Sequence, residues 1–344
     1  MNPTIKRSTL ADVATLAGVS LGSASRALSV PDEVKPATLA KVNQAVAQLG
    51  YVRNGAAQAL ASKRTRTIAA IYPSLDNPIF ASSVNALQKR LWKDGYQLLI
   101  ASHEYDVKRE LFAVRTMIER GVDGIILVGT DHDPAIFDML SRRQIPHLLT
   151  WSSNPSSQSH SIGFSNHQAA YEMARLVLAK GHQKIAICSG LQENNERAKA
   201  RLLGALQAIN QAGYSVPENY RVEEPLTLEG GRLGFNKLWA LEKRPTVIIF
   251  GNDLQAMGAI DQARQIGLRI PEDLSITGFD DNEMAALFSP ALTTVHVPIH
   301  EIGIQAAEFI LKLVQQESHD VPLANIALST EVVERKSLGS PRST

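Results

Sequence analysis

Thr9-Leu10-Ala11-Asp12-Val13-Ala14-Thr15-Leu16-Ala17-Gly18-Val19-Ser20-Leu21-Gly22-Ser23-Ala24-Ser25-Arg26-Ala27-Leu28 holds two helix starts and the stop between them. Thr9 and Asp12 have the spacing of a capping box, in which the hydroxyl accepts from the backbone three residues on and the acid reaches back. A helix is expected from there, with Leu10, Val13, Ala14 and Ala17 on one face and Gly18 ending it in a left-handed conformation. Ser20 is the expected N-cap of a second short helix, Leu21 to Leu28, which packs through Ala24, Ala27 and Leu28. Two short helices joined by a tight turn make a helix-turn-helix whose second member is sized for the DNA major groove. Pro36, preset for the first helical position, opens a third helix to Leu49, with Leu39, Val42, Val46 and Leu49 as its buried stripe and Gly50 as its stop.

Charge separates this head from the rest of the 344 residues. The whole chain carries 35 Lys+Arg against 34 Asp+Glu, a net +1. Divided at Lys63-Arg64-Thr65-Arg66, residues 1–66 hold nine basic and three acidic side chains, so the head is +6 and the remainder −5. A basic head on an acidic body is the footprint of a protein whose one end meets a polyanion. One cysteine, Cys188, cannot form an internal disulfide, and Met1 onward lacks a charged segment followed by an apolar one, so a cytoplasmic protein is expected. Apolar runs such as Ile125 to Val128 are far shorter than the roughly 20 residues a membrane helix needs.

From Thr67 onward short apolar runs alternate with amphipathic stretches, the mark of parallel βαβ units. Strands are expected at Ile68 to Tyr72, Gln97 to Ala101, Gly124 to Gly129 and His147 to Trp151, with helices near Ile79 to Lys93, Lys108 to Arg120 and Pro134 to Arg142. After Ile162-Gly163-Phe164 the rhythm repeats. Helices are expected near His167 to Lys180, Arg197 to Ala212, Arg232 to Leu241 and Leu254 to Gln265, and strands at Ile185 to Cys188, Val247 to Phe250 and Ser275 to Phe279. Two similar halves predict two lobes with a cleft at the carboxyl ends of their strands, where open α/β sheets bind ligands.

The ordered set Thr9 to Ala14, Ala17-Gly18-Val19-Ser20, Ser25-Arg26-Ala27-Leu28, Leu49-Gly50-Tyr51-Val52-Arg53-Asn54 and Ala57-Gln58-Ala59-Leu60-Ala61 resembles the DNA-binding head and hinge of the lactose-repressor (LacI/GalR) family. The body is similar to the same family throughout. It carries Pro73-Ser74-Leu75-Asp76-Asn77-Pro78-Ile79-Phe80, Gly121-Val122-Asp123-Gly124, Gly181-His182-Gln183-Lys184, Asn252-Asp253-Leu254-Gln255, Gly278-Phe279-Asp280-Asp281 and Pro290-Ala291-Leu292-Thr293-Thr294 in family order. The fold so implied is an N-terminal all-α helix-turn-helix head plus an α/β periplasmic-binding-protein-like core of two doubly wound lobes. Its parts would be 1–53 (DNA-binding), 54–66 (hinge helix and linker), 67–163 plus 292–322 (N-terminal lobe), 164–291 plus 323–335 (C-terminal lobe) and 336–344 (a polar tail).

By this resemblance the recognition helix spans Ser20 to Arg26. Arg26 can fork onto guanine O6 and N7, while Thr9, Ser20, Ser25, Lys35, Tyr51 and Asn54 join the DNA contacts. Leu21 and Gly22 occupy positions where the family varies its base-reading side chains. Leu21 can touch a thymine methyl and Gly22 reads nothing, so shape readout gains weight. Lys35 stands where a hydroxyl N-cap is usual. Leu60 would wedge into the minor groove from a hinge helix too short to form alone. Arg53 and Gly55 replace a proline and a bulky or basic residue, which predicts a less rigid hinge.

Effector contacts implied by the resemblance are Asn77, Phe80, Arg201, Asn252, Asp253 and Asp280, with Arg197 one helical turn before Arg201 as a second cation. Trp151 replaces an acidic ligand residue, so stacking on a sugar face is expected there, and Ser165 replaces the usual aspartate. A guanidinium facing a carboxylate suits a polyhydroxylated ligand. Pro73 to Phe80, His103-Glu104-Tyr105 and Glu196-Arg197 look most like the gluconate-repressor branch, implying a sugar acid, gluconate-like, as effector.

No enzyme or cofactor signature competes with this reading. Gly230-Gly231-Arg232-Leu233-Gly234 lacks the dinucleotide and Walker patterns, Asp131-His132-Asp133 reads as a solvated loop rather than a metal site, and Ser189-Gly190 lacks the elbow's flanking glycine. A sugar-modifying enzyme would need a turnover group, and a transport protein would need export and no basic head. The expectation is a regulator of transcription, more commonly a repressor in this family, with double-stranded operator DNA, a small effector and a second copy as partners. No leucine heptads follow Leu328 to Arg335, so a homodimer is expected rather than a zippered tetramer.

Overall fold

A computed structural model describes residues 8–53, 55, 64–153, 158–315 and 321–342. They form two compact units divided between Thr65 and Arg66. In the first, α1 (Leu10–Ala17), α2 (Leu21–Ser29) and α3 (Pro36–Leu49) begin and end where the sequence places them, within a residue. Both halves of the Thr9–Asp12 capping box form, Ser20 Oγ accepts from the Ser23 amide, and Gly18 ends α1 at φ +65°. Val13, Ala14, Ala17, Ala24, Ala27, Val42 and Ala45 make the core. Mostly alanine, it lets three helices approach closely, and the expected stripe residues Leu39, Val46 and Leu49 close its margin half-buried.

The second unit has two parallel sheets. One has six strands in the order β11-β5-β4-β3-β1-β2, from β1 (Thr67–Tyr72), β2 (Gln97–Ser102), β3 (Gly124–Val128), β4 (His147–Thr150), β5 (Ser161–Gly163) and β11 (Asn325–Ala327). Its helices are α4 (Pro78–Lys93), α5 (Val107–Glu119), α6 (Pro134–Arg142) and α12 (Ile299–Gln315). Apolar clusters fill both faces, around Leu87, Leu91, Ile126 and Ile310 on one and Val114, Ile125, Ile136 and Leu140 on the other.

The other sheet runs β7-β6-β8-β9, from β6 (Ile185–Ser189), β7 (Arg221–Glu223), β8 (Val247–Phe250) and β9 (Ser275–Thr277). It is covered by α7 (Asn166–Ala179), α8 (Glu196–Gln211), α9 (Leu228–Trp239) and α10 (Asp253–Gln265), with the short α11 (Glu283–Leu287) beyond β9. β10 (Thr294–His296) pairs antiparallel with β12 (Glu331–Val333) as a separate two-stranded sheet.

Several boundaries differ from the sequence expectation. Asn325–Ala327 pairs with Ser161–Gly163 and so belongs to the N-terminal lobe, and the third crossing falls between Ala327 and Glu331 rather than near 322. The expected polar tail is part of the C-terminal lobe: Leu338 is buried, Ser337 Oγ donates to the Ile276 carbonyl at 2.6 Å, and His182 Nε2 faces the Gly339 carbonyl at 2.8 Å. One apolar residue, the Ser337 hydroxyl, backbone pairings and an ion pair from Arg342 to Asp273 help hold this tail, and composition does not register them. Strands β3 and β4 also stop short of Gly129 and Trp151, whose φ of +102° and +70° turn the chain out of the sheet.

Glycines set the spacing of α9 on α10. A Cβ on Gly258 would lie 1.9 Å from the Leu228 carbonyl oxygen, against rigid helix backbone. Gly258→Ala is therefore expected to destabilise the body by about 3 kcal/mol through overpacking, read as a lowered urea midpoint at unchanged m-value.

Candidate functional site

On the head, packing of Ala24 and Ala27 leaves Leu21, Gly22, Ser25, Arg26 and Ser29 on the other face of α2. Leu21 is 54% exposed, so its apolar side chain is open to a DNA edge. Arg26 is exposed, and among the described residues no carboxylate lies within ion-pair distance of it, Asp32 and Glu33 included. Lys35 is the exposed N-cap of α3 and makes no capping bond. Thr9 and Ser20 cap their helices, and Tyr51 packs half-buried against the head core.

Arg53 behaves differently from its expected loosening role. Its guanidinium donates to the Leu28 carbonyl at 3.1 Å and Ser29 Oγ at 2.6 Å, fastening the chain after α3 to the C-terminal end of α2, where a cation is favoured. Asn54 and Leu60, and with them most of the expected hinge, lie outside the described residues.

In the body, a cleft of about 480 Å³ opens between the lobes. Its walls are the segments leaving the carboxyl ends of β1, β2, β4, β6, β7, β8 and β9, the place where open α/β sheets take ligands. Asn77, Phe80, Trp151, Arg197, Arg201 and Asp280 all line it. Arg201 Nε donates to Asn166 Oδ1 at 2.8 Å, its Nη1 to the Gly251 carbonyl at 2.8 Å, and the guanidinium lies 3.7 Å above the Phe279 ring. Its Nη1 stands 3.5 Å from Asp280 Oδ1. Burial pushes the Asp280 carboxyl up to about 6, against the opposing pull of Arg201 and of a hydrogen bond from Asn77. Asn77 also caps α4 through the Ile79 amide, so one side chain ties the N-terminal lobe to Asp280.

Asn252 and Asp253 do not line the cleft. Asn252 caps α10 through the Gln255 amide at 2.9 Å and donates to the Leu226 carbonyl. Asp253, fully buried, accepts from Thr294 Oγ1 at 2.5 Å and the Asn282 amide at 2.8 Å. Burial and then neighbouring Asp280 drive its carboxyl well above the usual range. The chain twists into α10 here, and Gly251 and Leu254 face the cleft instead. Trp151 is 1% exposed and meets Phe80 edge-on with centroids 4.9 Å apart, so it shapes the wall and offers no open face for stacking.

Sequence reasoning gave Glu196 no role in the site. It accepts from the Thr130 amide and from Ser152 Oγ, both at 3.0 Å, reaching from α8 to the other lobe. Arg197 beside it donates to the Val128 carbonyl at 3.2 Å. Gly129 sits at φ +102°, a conformation side chains rarely adopt, and a Cβ there would also displace the end of the Arg197 side chain, 2.3 Å away. Behind Gly129, the expected loop leaves Asp131 exposed, but the His132 side chain turns inward, with Nδ1 2.9 Å from Glu110 and Nε2 3.2 Å from the Gly129 carbonyl.

Residues 9–54 match the bacterial regulatory proteins of the lacI family, and residues 174–338 the periplasmic binding protein-like domain. The chain is 30% identical to the HTH-type transcriptional repressor PurR of Vibrio atlanticus (strain LGP32), over 96% of this chain and 98% of that protein. Its structure is similar to the lac repressor dimer bound to operator and the anti-inducer ONPF, with a TM-score of 0.85 and 26% identity over 97% of this chain and 100% of that one. It is also similar to the transcriptional regulator CelR in complex with cellobiose, with a TM-score of 0.71 and 25% identity over 96% and 100% of the two chains. No described helix is long and apolar enough to cross a membrane. The chain thus belongs to the lacI family of bacterial regulatory proteins, as a DNA-binding transcriptional regulator controlled by a small-molecule effector in its periplasmic-binding-like body.

Proposed function

We propose that this protein represses transcription as a homodimer, whose two heads read a pseudo-palindromic operator, and that a small sugar-class effector held between the lobes alters that affinity. The observation that carries this reading is the juxtaposition of Arg201 and Asp280 on the wall of one interlobe cleft. A polyol hydroxyl both donates and accepts, so adjacent hydroxyls can satisfy a guanidinium and a carboxylate together. The effector's remaining contacts come from Asn77 and Phe80, with Trp151 packed against Phe80 to shape the wall behind it. The cellobiose bound by CelR and the dimer formed by the lac repressor on its operator are consistent with both halves of the proposal.

On the DNA side, a helix of nine residues covers one half-site, and a two-fold dimer doubles it. Arg26 reads guanine, Leu21 meets a thymine methyl, and Thr9, Ser20, Ser25, Lys35 and Tyr51 position the backbone, with Asn54 and Leu60 continuing into the minor groove. Selection of operators from random duplexes, followed by binding across a salt series with and without a panel of sugars, tests the whole reading. Salt-insensitive binding, or affinity that no sugar changes, would overturn it.

Asp280 adds a pH dependence. Its ionised carboxylate accepts effector hydroxyls, and that form disappears as pH falls through about 6. Affinity for an uncharged sugar should therefore drop about tenfold between pH 7 and pH 5, read by calorimetry. The same raised value means that folding stability from this group is greatest below the ordinary carboxylate range and is lost as pH rises through about 6.

A further inference from the structure

Two arginines face the cleft, and they are in different electrostatic situations. Arg197 is buried, and its Nη1 donates to the Val128 carbonyl at 3.2 Å and lies 3.3 Å from both Glu196 oxygens. A further bond joins it to Tyr105. Glu196 stays ionised beside it: burial opposes its charge, but Arg197, Ser152 and the Thr130 amide together hold its carboxyl below the ordinary range. Arg197 and Glu196 thus form a closed, neutral pair anchored to the opposite lobe.

Arg201, the other guanidinium, already stands against Asp280. The remaining charged side chains on the cleft wall, Asp76, Glu104, Glu193 and Glu223, are all acidic, Glu104 alone being ion-paired among the described residues, to Arg109. Among the described residues, a ligand carboxylate entering here meets an acidic rim and no unengaged cation, and desolvating an unpaired anion costs several kcal/mol. An uncharged polyol carries no such cost.

We propose that the effector is uncharged and that Glu196 is the specificity-determining residue, because it holds Arg197 against the N-terminal lobe and away from any ligand carboxylate. This rests on the sugar reading of the cleft, and it replaces the sugar acid implied by resemblance to the gluconate-repressor branch. Removing the charge of Glu196 leaves Arg197 with an unbalanced positive charge at the cleft wall, which a carboxylate can then neutralise.

The test is calorimetric titration of the full-length protein with matched pairs: glucose and glucuronate, galactose and galacturonate, glucitol and gluconate, cellobiose and cellobionate. In every pair that binds, the neutral member is expected to bind the wild type at least tenfold more tightly. Glu196→Gln should narrow that gap at least tenfold, while Glu196→Asp, which keeps the charge, should restore most of it. The Asp variant also separates charge from loss of the interlobe bonds. An acid that binds the wild type as tightly as its neutral partner overturns the inference and leaves the sugar reading standing, and so does a gap that Glu196→Gln does not change. If no pair binds, the sugar reading fails and this inference fails with it.

Discussion

Arg201→Met is expected to lower the stability of the body by about 3–5 kcal/mol at pH 7.5 and to abolish effector binding. The guanidinium serves the Asn166 side chain, the Gly251 carbonyl and Asp280 at once. Methionine fills the volume and leaves all three acceptors in a buried setting without their donor. The dominant part of the cost is electrostatic, since Asp280 would remain buried with its main opposite charge removed. Its carboxyl can escape by taking up a proton, so the deficit should shrink at pH 5, where the group is already largely neutral.

Thermal melts of wild type and variant at the two pH values check this. A drop on the order of 10 °C is expected at pH 7.5 and clearly less at pH 5. Equal drops at both would show that Arg201 acts through packing on Phe279 rather than through charge. Adding Asp280→Leu to Arg201→Met should recover part of the stability, because an apolar pair removes the stranded anion, but no effector binding.

Arg26→Ala should weaken binding to the selected operator by about 10–100-fold and relax specificity at one base position of each half-site. Leu21 and Gly22 supply no hydrogen bonds, so α2 depends on Arg26 for polar readout of bases to an unusual degree. Lys35→Ala provides the contrast: without this cation beside a phosphate, all sequences should bind more weakly alike, and the salt slope should fall by about one per head. Binding isotherms on the selected operator and on a random duplex, each at several salt concentrations, distinguish the two. If Arg26→Ala lowered affinity for both duplexes equally, the arginine would touch phosphate rather than base, and shape readout would carry the specificity.

The head was legible almost residue by residue because each of its signals is local. The Thr9–Asp12 box, the Ser20 cap and the Gly18 and Gly50 stops act over three or four residues, and the structure places each of them as expected. Most strand and helix positions in the body follow from apolar periodicity in the same way; α12 (Ile299–Gln315) and the three-residue edge strand β7 do not, nor do ends such as Gly129 and Trp151, where positive φ takes the chain out of the sheet.

Site membership was legible only in part. Asn77, Phe80, Trp151, Arg197, Arg201 and Asp280 meet in the cleft, whereas neighbouring Asn252 and Asp253 turn inward to cap and brace α10. Adjacent residues at a helix start face different directions, so a motif that includes all of them does not distinguish ligand contacts from scaffold. The third crossing differs from the sequence expectation for a related reason: Asn325–Ala327 joins a strand 164 residues earlier in the chain, which no local pattern records.

The sequence alone therefore determined the helix-turn-helix head, the basic-to-acidic division, the two-lobed α/β body and membership of the lacI family. These depend on short-range capping, on periodicity and on ordered motifs. Tertiary structure decided which charges are available to a ligand. Arg197 and Arg201 look equivalent one turn apart on α8, yet one is neutralised by its neighbour and anchored to a carbonyl 69 residues away, while the other faces a carboxylate 79 residues on. The strength of a buried charge is set by whatever lies within a few ångströms of it, and what separates these two arginines, the Val128 carbonyl of the other lobe and Asp280 at a distant strand end, lies far away in sequence.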